Sequence, residues 1–384
     1  MAFELWGLTP AERLRRSLER AGCGPIEVCS ATSSPPVPLA MGLLVLRGDC
    51  IYDERLIEAL TGAPDTVLCH EPAGGCVAAH VAPERAAEIV DALRSGAPAP
   101  AGLRELCPTE LAPSYNAKLR KSDPPYVFAA RRDALREIEA RTFAASYKGA
   151  TDLVTKWVWP VPARALTRWL AVRGVHPNTV TLASWGLAIA AFWLFARGSF
   201  GWGLAAAWLM TFLDTVDGKL ARVTLTSSRL GDVLDHGLDL VHPPFWWWAW
   251  GAGIGAPLGP ATLIAVGGYF VGRALEGVFL AAFKFETHSW HRIDTLFRTI
   301  TARRNPNLLL LSVGAAAGRP DLGMTLLAIW TSVSLAFHAL RLVQAFAARG
   351  RGEPVYAWSE AQGSAGEAPS VGARPRPETL PEDM

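Results

Sequence analysis

The sequence predicts an all-α membrane bundle of six transmembrane helices, preceded by a small, truncated cytosolic α/β domain, and three observations carry this. Half of the 384 residues are hydrophobic and 15 are Trp, which is rich for a soluble protein. Apolar stretches follow one another near 178–196, 200–217, 233–252, 257–281, 307–318 and 321–346, several of them close to the roughly 20 residues that cross a hydrocarbon core. The charges crowd before residue 175 and thin out within these stretches, although the net charge is only +2. That asymmetry separates a soluble half from a lipid half, and no nucleic-acid partner is expected.

Residues 1–125 read as the cytosolic unit. An amphipathic helix over Thr9–Ala21 is followed by strands at Ile26–Cys29 and Met41–Leu46 and a helix over Glu54–Leu60. Strands alternating with helices argue for a parallel sheet. All six cysteines (Cys23, Cys29, Cys50, Cys69, Cys76 and Cys107) fall here without a CxxC pair, so they are expected as reduced thiols. The first residues mix acids and bases and lack an apolar core before a cleavage site, so no secretory signal is expected. Insertion then relies on the later apolar segments.

Residues 126–174 connect the halves. A helix over Ala129–Phe143 leads to DLVTKWVWPVPARALTRWLAVRG at 152–174, whose Trp, Pro and basic residues suit a headgroup interface. The membrane domain is assigned to 175–347, its fifth span being short enough to extend backward through Thr299–Pro306. Residues 348–384, rich in Gly, Pro, Glu and Arg, read as a disordered tail.

Loop charges orient the bundle. Lys156, Arg164, Arg168 and Arg173, then Lys219, Arg222 and Arg229, then Lys284, Arg292, Arg298, Arg303 and Arg304, then Arg349 and Arg351 mark one side, against Arg197 and Arg319 on the other. Because cytoplasmic loops hold the Lys and Arg excess, both termini and the loop between spans two and three are predicted cytoplasmic. An integral protein of a bacterial inner membrane is expected.

The chemistry concentrates in one segment. Asp214, Asp217, Gly218, Ala221 and Arg222 form DxxDGxxAR, and after eight residues Gly231, Asp235 and Asp239 form GxxxDxxxD. Spacings of three and four put each acid pair on one helix face. Acids at membrane depth need a cavity and a compensating charge. Four carboxylates exceed what one Mg²⁺ takes from protein, so two divalent ions, Mg²⁺ or Mn²⁺, bridging to a pyrophosphate fit the count. Gly218, Ala221 and Gly231 offer close approach to a nucleotide, and Arg222 a donor fork for phosphate. The bland alternative is helix-end carboxylates paired with Lys219, Arg222 and Arg229.

This segment resembles the signature of the CDP-alcohol phosphatidyltransferase family at every specified position, and the resemblance covers roughly residues 145–345. It implies a six-helix bundle, often dimeric, with a cytoplasmic site releasing CMP as a substituted phosphate passes from a CDP-linked donor to an alcohol. It further implies that Asp214, Asp217 and Asp235 hold metal, while Asp239, with Asp235, is catalytic and accepts the acceptor hydroxyl's proton as a further ligand. His176-Pro177-Asn178-Thr179-Val180-Thr181 resembles the family's PNxxT element. Asn178 and Thr181 then lie near the nucleotide, or Asn178 merely starts a helix.

For the acceptor, Arg273 lies inside an apolar span and Arg303 and Arg304 precede another. The family uses such cations for an acceptor phosphate. The alternatives are an Arg273–Glu276 ion pair and positive-inside anchors. His236 is read as a polar residue at the site's edge, with a proton shuttle as the other reading. Trp246, Trp247, Trp248 and Trp250 are taken to mark the far interface, and His288 and His291 make no zinc site.

The first unit, with RRSLERAGCGPIEV and LLVLRGDCIYDERLIEAL, looks like a sugar-phosphate nucleotidyltransferase in which Asp49 would hold metal and nucleotide. It lacks the opening glycine-rich loop and is expected to be inactive. It resembles the first part of fusions between an inositol-phosphate cytidylyltransferase and a di-inositol-phosphate-phosphate synthase. The expected donor is CDP-diacylglycerol and the acceptor a phosphorylated polyol. A CDP-inositol or CDP-aminoalcohol transferase, or a non-enzymatic ion-binding membrane protein, are the alternatives.

Overall fold

The computed structural model describes residues 3–29 and 42–358, apart from the side chains of Leu230, Asp232 and Asp235. Helix α1, Pro10–Arg20, opens with Pro10 in its first turn and with Thr9 Oγ1 accepting from Glu12 N, an N-cap that satisfies one unpaired donor. Strands β1 (Leu43–Leu46) and β2 (Cys50–Tyr52) lead to α2 (Glu54–Thr61), then β3 (Thr66–His70), β4 (Gly75–Val81), α3 (Ala86–Ser95) and β5 (Arg104–Leu106). Short pieces follow: α4 (Pro108–Leu111), β6 (Tyr115–Asn116), β7 (Lys121–Ser122) and β8 (Val127–Ala129).

The main sheet has the order β1-β4-β3-β5, and here the expected parallel sheet is corrected. β4 pairs antiparallel with both β1 and β3, and only β5 runs parallel, to β3. The cause is the β3–β4 connection, a single tight turn through Gly74 and Gly75 at φ 92° and 89°, where a parallel pair needs a long crossover. The strand expected at Ile26–Cys29 is also absent. Those four residues are irregular, and Val28 is 86% exposed. β8 returns to pair with β2, so the chain up to Ala129 folds with the first unit.

α5 (Leu135–Ala145) then leads through a wide turn at Val154–Val158 into α6 (Pro160–Val172). Six further helices follow among the described residues: α7 (Pro177–Ala196), α8 (Phe200–Val223), α9 (Arg229–Gly253), α10 (Pro260–Phe283), α12 (Arg304–Ala316) and α13 (Pro320–Gly350), with the short α11 (Arg292–Arg298) before α12. α7, α10 and α13 are long and apolar enough to cross a membrane. α8 and α9 have 24 and 25 residues but carry the acids and basic residues of the motif. α12 starts at Arg304, so the short fifth segment gains only three residues of the backward extension. Of the expected tail, 348–350 continue α13, and 359–384 lie outside the described residues.

The bundle core corrects the reading of the Trp run. Trp246, Trp247 and Trp250 are at most 1% exposed, and only Trp248, at 42%, faces outward. The helical period explains this, because positions 246 and 250 share the face that meets α7 and α13. Their indole N–H groups donate to Ala188 O at 2.9 Å and Pro320 O at 3.0 Å, as buried Trp requires.

Candidate active site

The site is built where α7, α8, α9 and α12 meet. α7 begins with Pro177 at its first position, and the cap is His176, whose side chain accepts from Asn178 N. Asn178 is therefore inside the helix, so its carboxamide is available elsewhere, and a Cβ on Gly231 would lie 3.1 Å from Asn178 Oδ1. One turn on, Thr181 Oγ1 donates to Asp217 Oδ2 at 2.7 Å. Both carboxyl-bearing helices thus meet the PNxxT residues.

On α8, Asp217 is 3% exposed. Arg222 folds back on its own helix, with Nη2 3.1 Å from where a Gly218 Cβ would stand. α9 is capped by Ser228, whose Oγ accepts from Gly231 N at 3.1 Å, and carries Asp235 and Asp239 along its length. Asp235's side chain lies outside the described residues. Among the described acids of the motif Asp239 is the open one, with 56% of its side chain exposed against 9% for Asp214.

Arg304, the first residue of α12, ties the two acidic helices together. Its Nη2 donates to Asp214 Oδ2 and its Nη1 to Asp239 Oδ1, both at 2.6 Å. Among the described residues no three metal-capable side chains converge into a cluster. The donor chemistry nevertheless suits a divalent ion: Asp214, Asp217 and Asp239 are hard oxygen donors, and Asp214 and Asp239 already share one cationic group. Buried carboxylates require such compensation.

The other basic residues form a second group nearby. Glu276 on α10 pairs with Arg273 and, at 2.5 Å, with Arg303. The group borders a cavity of about 30 Å³ lined by Arg273, Glu276, Arg303, Thr331, Ser334 and His338. Arg298, whose Nε makes no hydrogen bond, neighbours Arg303 and Glu276. Arg273, Arg298 and Arg303 outnumber the nearby carboxylates of Glu276 and Asp152, which leaves this corner cationic. Sequence reasoning passed over Arg298 as a site residue because it reads as one more loop cation. Tyr147 also escaped it. Tyr147's ring lies 3.5 Å beneath Lys219 Nζ, and no motif marks it. His236 lies exposed on α9.

In the first unit, Asp49 pairs with Arg47 at 2.8 Å and is 64% exposed. The guanidinium holds its carboxyl below the usual carboxylate range.

Residues 174–302 match the CDP-alcohol phosphatidyltransferase family. Phosphatidylinositol phosphate synthase of Streptomyces avermitilis is 36% identical over 108 residues, 27% of this chain and 44% of that protein. Its counterpart from Mycobacteroides abscessus is 37% identical over 100 residues, 24% of this chain and 45% of that protein. The bifunctional IPC transferase and DIPP synthase of Rubrobacter xylanophilus is 34% identical over 160 residues, 40% of this chain and 34% of that protein. The chain thus spans less than half the length of the curated relatives it matches. A solved structure of phosphatidylinositol phosphate synthase from Mycobacterium tuberculosis with CDP-DAG bound is 22% identical, with a TM-score of 0.38, over 47% of this chain and 92% of that one. The likeness to the CDP-alcohol phosphatidyltransferase family thus lies in residues 174–302, which hold the acidic motif.

Proposed function

We propose that the chain is a metal-dependent CDP-alcohol phosphotransferase that moves a phosphatidyl group from CDP-diacylglycerol to a phosphorylated polyol and releases CMP. The observation that carries this is the joining of Asp214 and Asp239, from two helices, through Arg304, within a motif complete at every position. The acceptor hydroxyl attacks the donor phosphorus next to CMP. Its proton passes to Asp239, and the phosphorus–oxygen bond to CMP breaks with its electron pair leaving on CMP. Asp239 suits this role because it is the open one among the described acids of the motif. Arg222 balances charge on the leaving phosphate, and Asn178, Thr181, Gly218, Ala221 and Gly231 line the approach of the nucleotide. Two Mg²⁺ or Mn²⁺ ions, held by Asp214, Asp217, Asp235 and Asp239, would neutralise the phosphates when bound. Arg273 and Arg303 border the cationic corner that suits an acceptor phosphate, with Arg304 beside them.

The relatives named phosphatidylinositol phosphate synthase support a polyol phosphate acceptor. A second reading, a CDP-inositol donor, is favoured by the likeness to the bifunctional IPC transferase and DIPP synthase, which extends over 40% of this chain. With it goes the proposal that the first unit no longer transfers cytidylyl groups, Asp49 being engaged by Arg47. Six spans, a homodimer, and a site and termini facing the cytoplasm complete the reading.

The test is CMP release by detergent-solubilised protein, with Mg²⁺, Mn²⁺ or EDTA, pairing CDP-diacylglycerol or CDP-inositol with glycerol phosphate or inositol phosphate. Metal-dependent release with one pair is expected. The double variant Asp235→Asn with Asp239→Asn is expected to lose on the order of 10²–10⁴-fold in rate. Unchanged turnover in that variant would refute the assignment.

A further inference from the structure

The first unit grips the helix that bears the motif, and we infer that Arg13 and Arg16 of α1 are positioning residues for the phosphotransfer site. This rests on the function proposed above. Arg13 is 6% exposed and donates from Nη1 to the carbonyl of Val223 at 2.6 Å. Arg16 donates from Nη1 to the carbonyl of Thr224 at 2.9 Å. Val223 is the last residue of α8 and Thr224 its C-cap, so their carbonyls belong to the end of the helix, which lacks partners in its own hydrogen-bond ladder. That end also carries the negative pole of the helix dipole, which a guanidinium offsets.

The two contacts bridge 210 and 208 residues of sequence, from outside the family-matched segment into its catalytic helix. Arg222 is the neighbour of Val223, and Asp217 and Asp214 lie within three turns of the capped end. Fraying or rotation of α8 would therefore move Asp217 against Thr181, and Asp214 against Arg304.

Independent contacts hold the same helix from its side. Lys219, inside the motif and 4% exposed, donates to the carbonyl of Ser146 at 3.3 Å and lies over the Tyr147 ring. Leu5 and Trp6 share one apolar cluster with Val216, Leu220 and Val223, and Trp6 Nε1 donates to Thr142 Oγ1 at 2.9 Å. The entry to α1 is itself fixed: Gly7 has φ 72°, and a Cβ there would stand 2.6 Å from the Ala171 carbonyl oxygen. The first unit is thus a structural part of the membrane site.

The experiment uses full-length protein in detergent and measures Mn²⁺ affinity, by the electron spin resonance of free Mn²⁺, alongside kcat and KM for CMP release. The variants are R13Q, R16Q, R13Q with R16Q, R13K with R16K, and R15Q, Arg15 being bonded to Glu12 and Glu19 on the exposed side of α1. The double Gln variant should bind Mn²⁺ roughly 10- to 100-fold more weakly and lose kcat by a similar factor, while KM for the donor shifts far less. The Lys pair, which still donates to the carbonyls, should recover much of both, and R15Q should match wild type. If the double variant does not fold, R13Q and R16Q singly decide the outcome. A folded double Gln variant with wild-type Mn²⁺ affinity and kcat, or Lys variants no better than Gln, would overturn the inference while leaving the proposed function intact. Wild-type protein that neither binds Mn²⁺ nor releases CMP would overturn both.

Discussion

Arg304 holds Asp214 and Asp239 through one guanidinium whose side chain is only 15% exposed. Removing one partner of a buried charge pair leaves the other uncompensated, at a cost of about 3–5 kcal/mol. R304Q should therefore melt well below wild type in EDTA. Because a divalent ion can replace the lost charge, Mn²⁺ should raise the melting temperature of R304Q more than that of wild type. An equal rise in the two proteins would show that Arg304 and the ion do not act on the same carboxylates. The residues of this site were largely legible in the sequence, since Asp214, Asp217, Gly218, Arg222, Gly231 and Asp239 announce themselves by spacing. The partner that links two of them was legible only as a cation before an apolar stretch. Nothing local says that the first residue of α12 reaches both α8 and α9.

Close helix contacts make their own demands. A Cβ on Gly314 of α12 would stand 2.4 Å from the Cα of Gly323 on α13, so these backbones touch as small-residue interfaces in membranes do. G314A should cost roughly 1–3 kcal/mol by overpacking, read as a lower melting temperature in detergent. G186A on α7, where nothing lies within 4 Å of the added methyl group, is the comparison. It should be neutral or stabilising by up to about 1 kcal/mol, since Ala favours helix over Gly. The positions of the long helices were readable from apolar runs and caps. Which face of a helix is inside was not, as Trp246, Trp247 and Trp250 demonstrate. The half of α9 after His242 is apolar all round, so no amphipathic stripe tells its faces apart.

Across the whole chain, the first unit also reaches the loop between α10 and α11 through the Arg120–Glu286 ion pair. Burial alone would raise the Glu286 pKa, but the hydrogen bond with His288 and the charge of Arg120 outweigh it and bring it down to about 2. Burial lowers the His288 pKa, so near pH 7 the imidazole is neutral and the ion pair is with Arg120. A depressed carboxylate pKa stabilises the fold above the unfolded value, here 4.5, and that stabilisation fades as pH falls toward 2. E286Q should accordingly melt below wild type at pH 6, with the gap closing as the pH drops through 4.5. A gap undiminished at pH 2 would show that the carboxylate charge is not what joins the two regions.

By itself, the sequence determined the division into a charged first part and an apolar second one, the succession of helices, and the acids of the motif. These follow from hydropathy and from spacing along single helices, which are local properties. Tertiary structure decided the rest. A sheet expected to be parallel became mostly antiparallel because a glycine turn returned β4 onto β3. Arg304 was brought to Asp214 and Asp239, and Arg13 to the end of α8. Pairings between residues dozens to hundreds of positions apart are set by how buried faces and unpaired polar groups find one another in space, and no pattern within one segment encodes them.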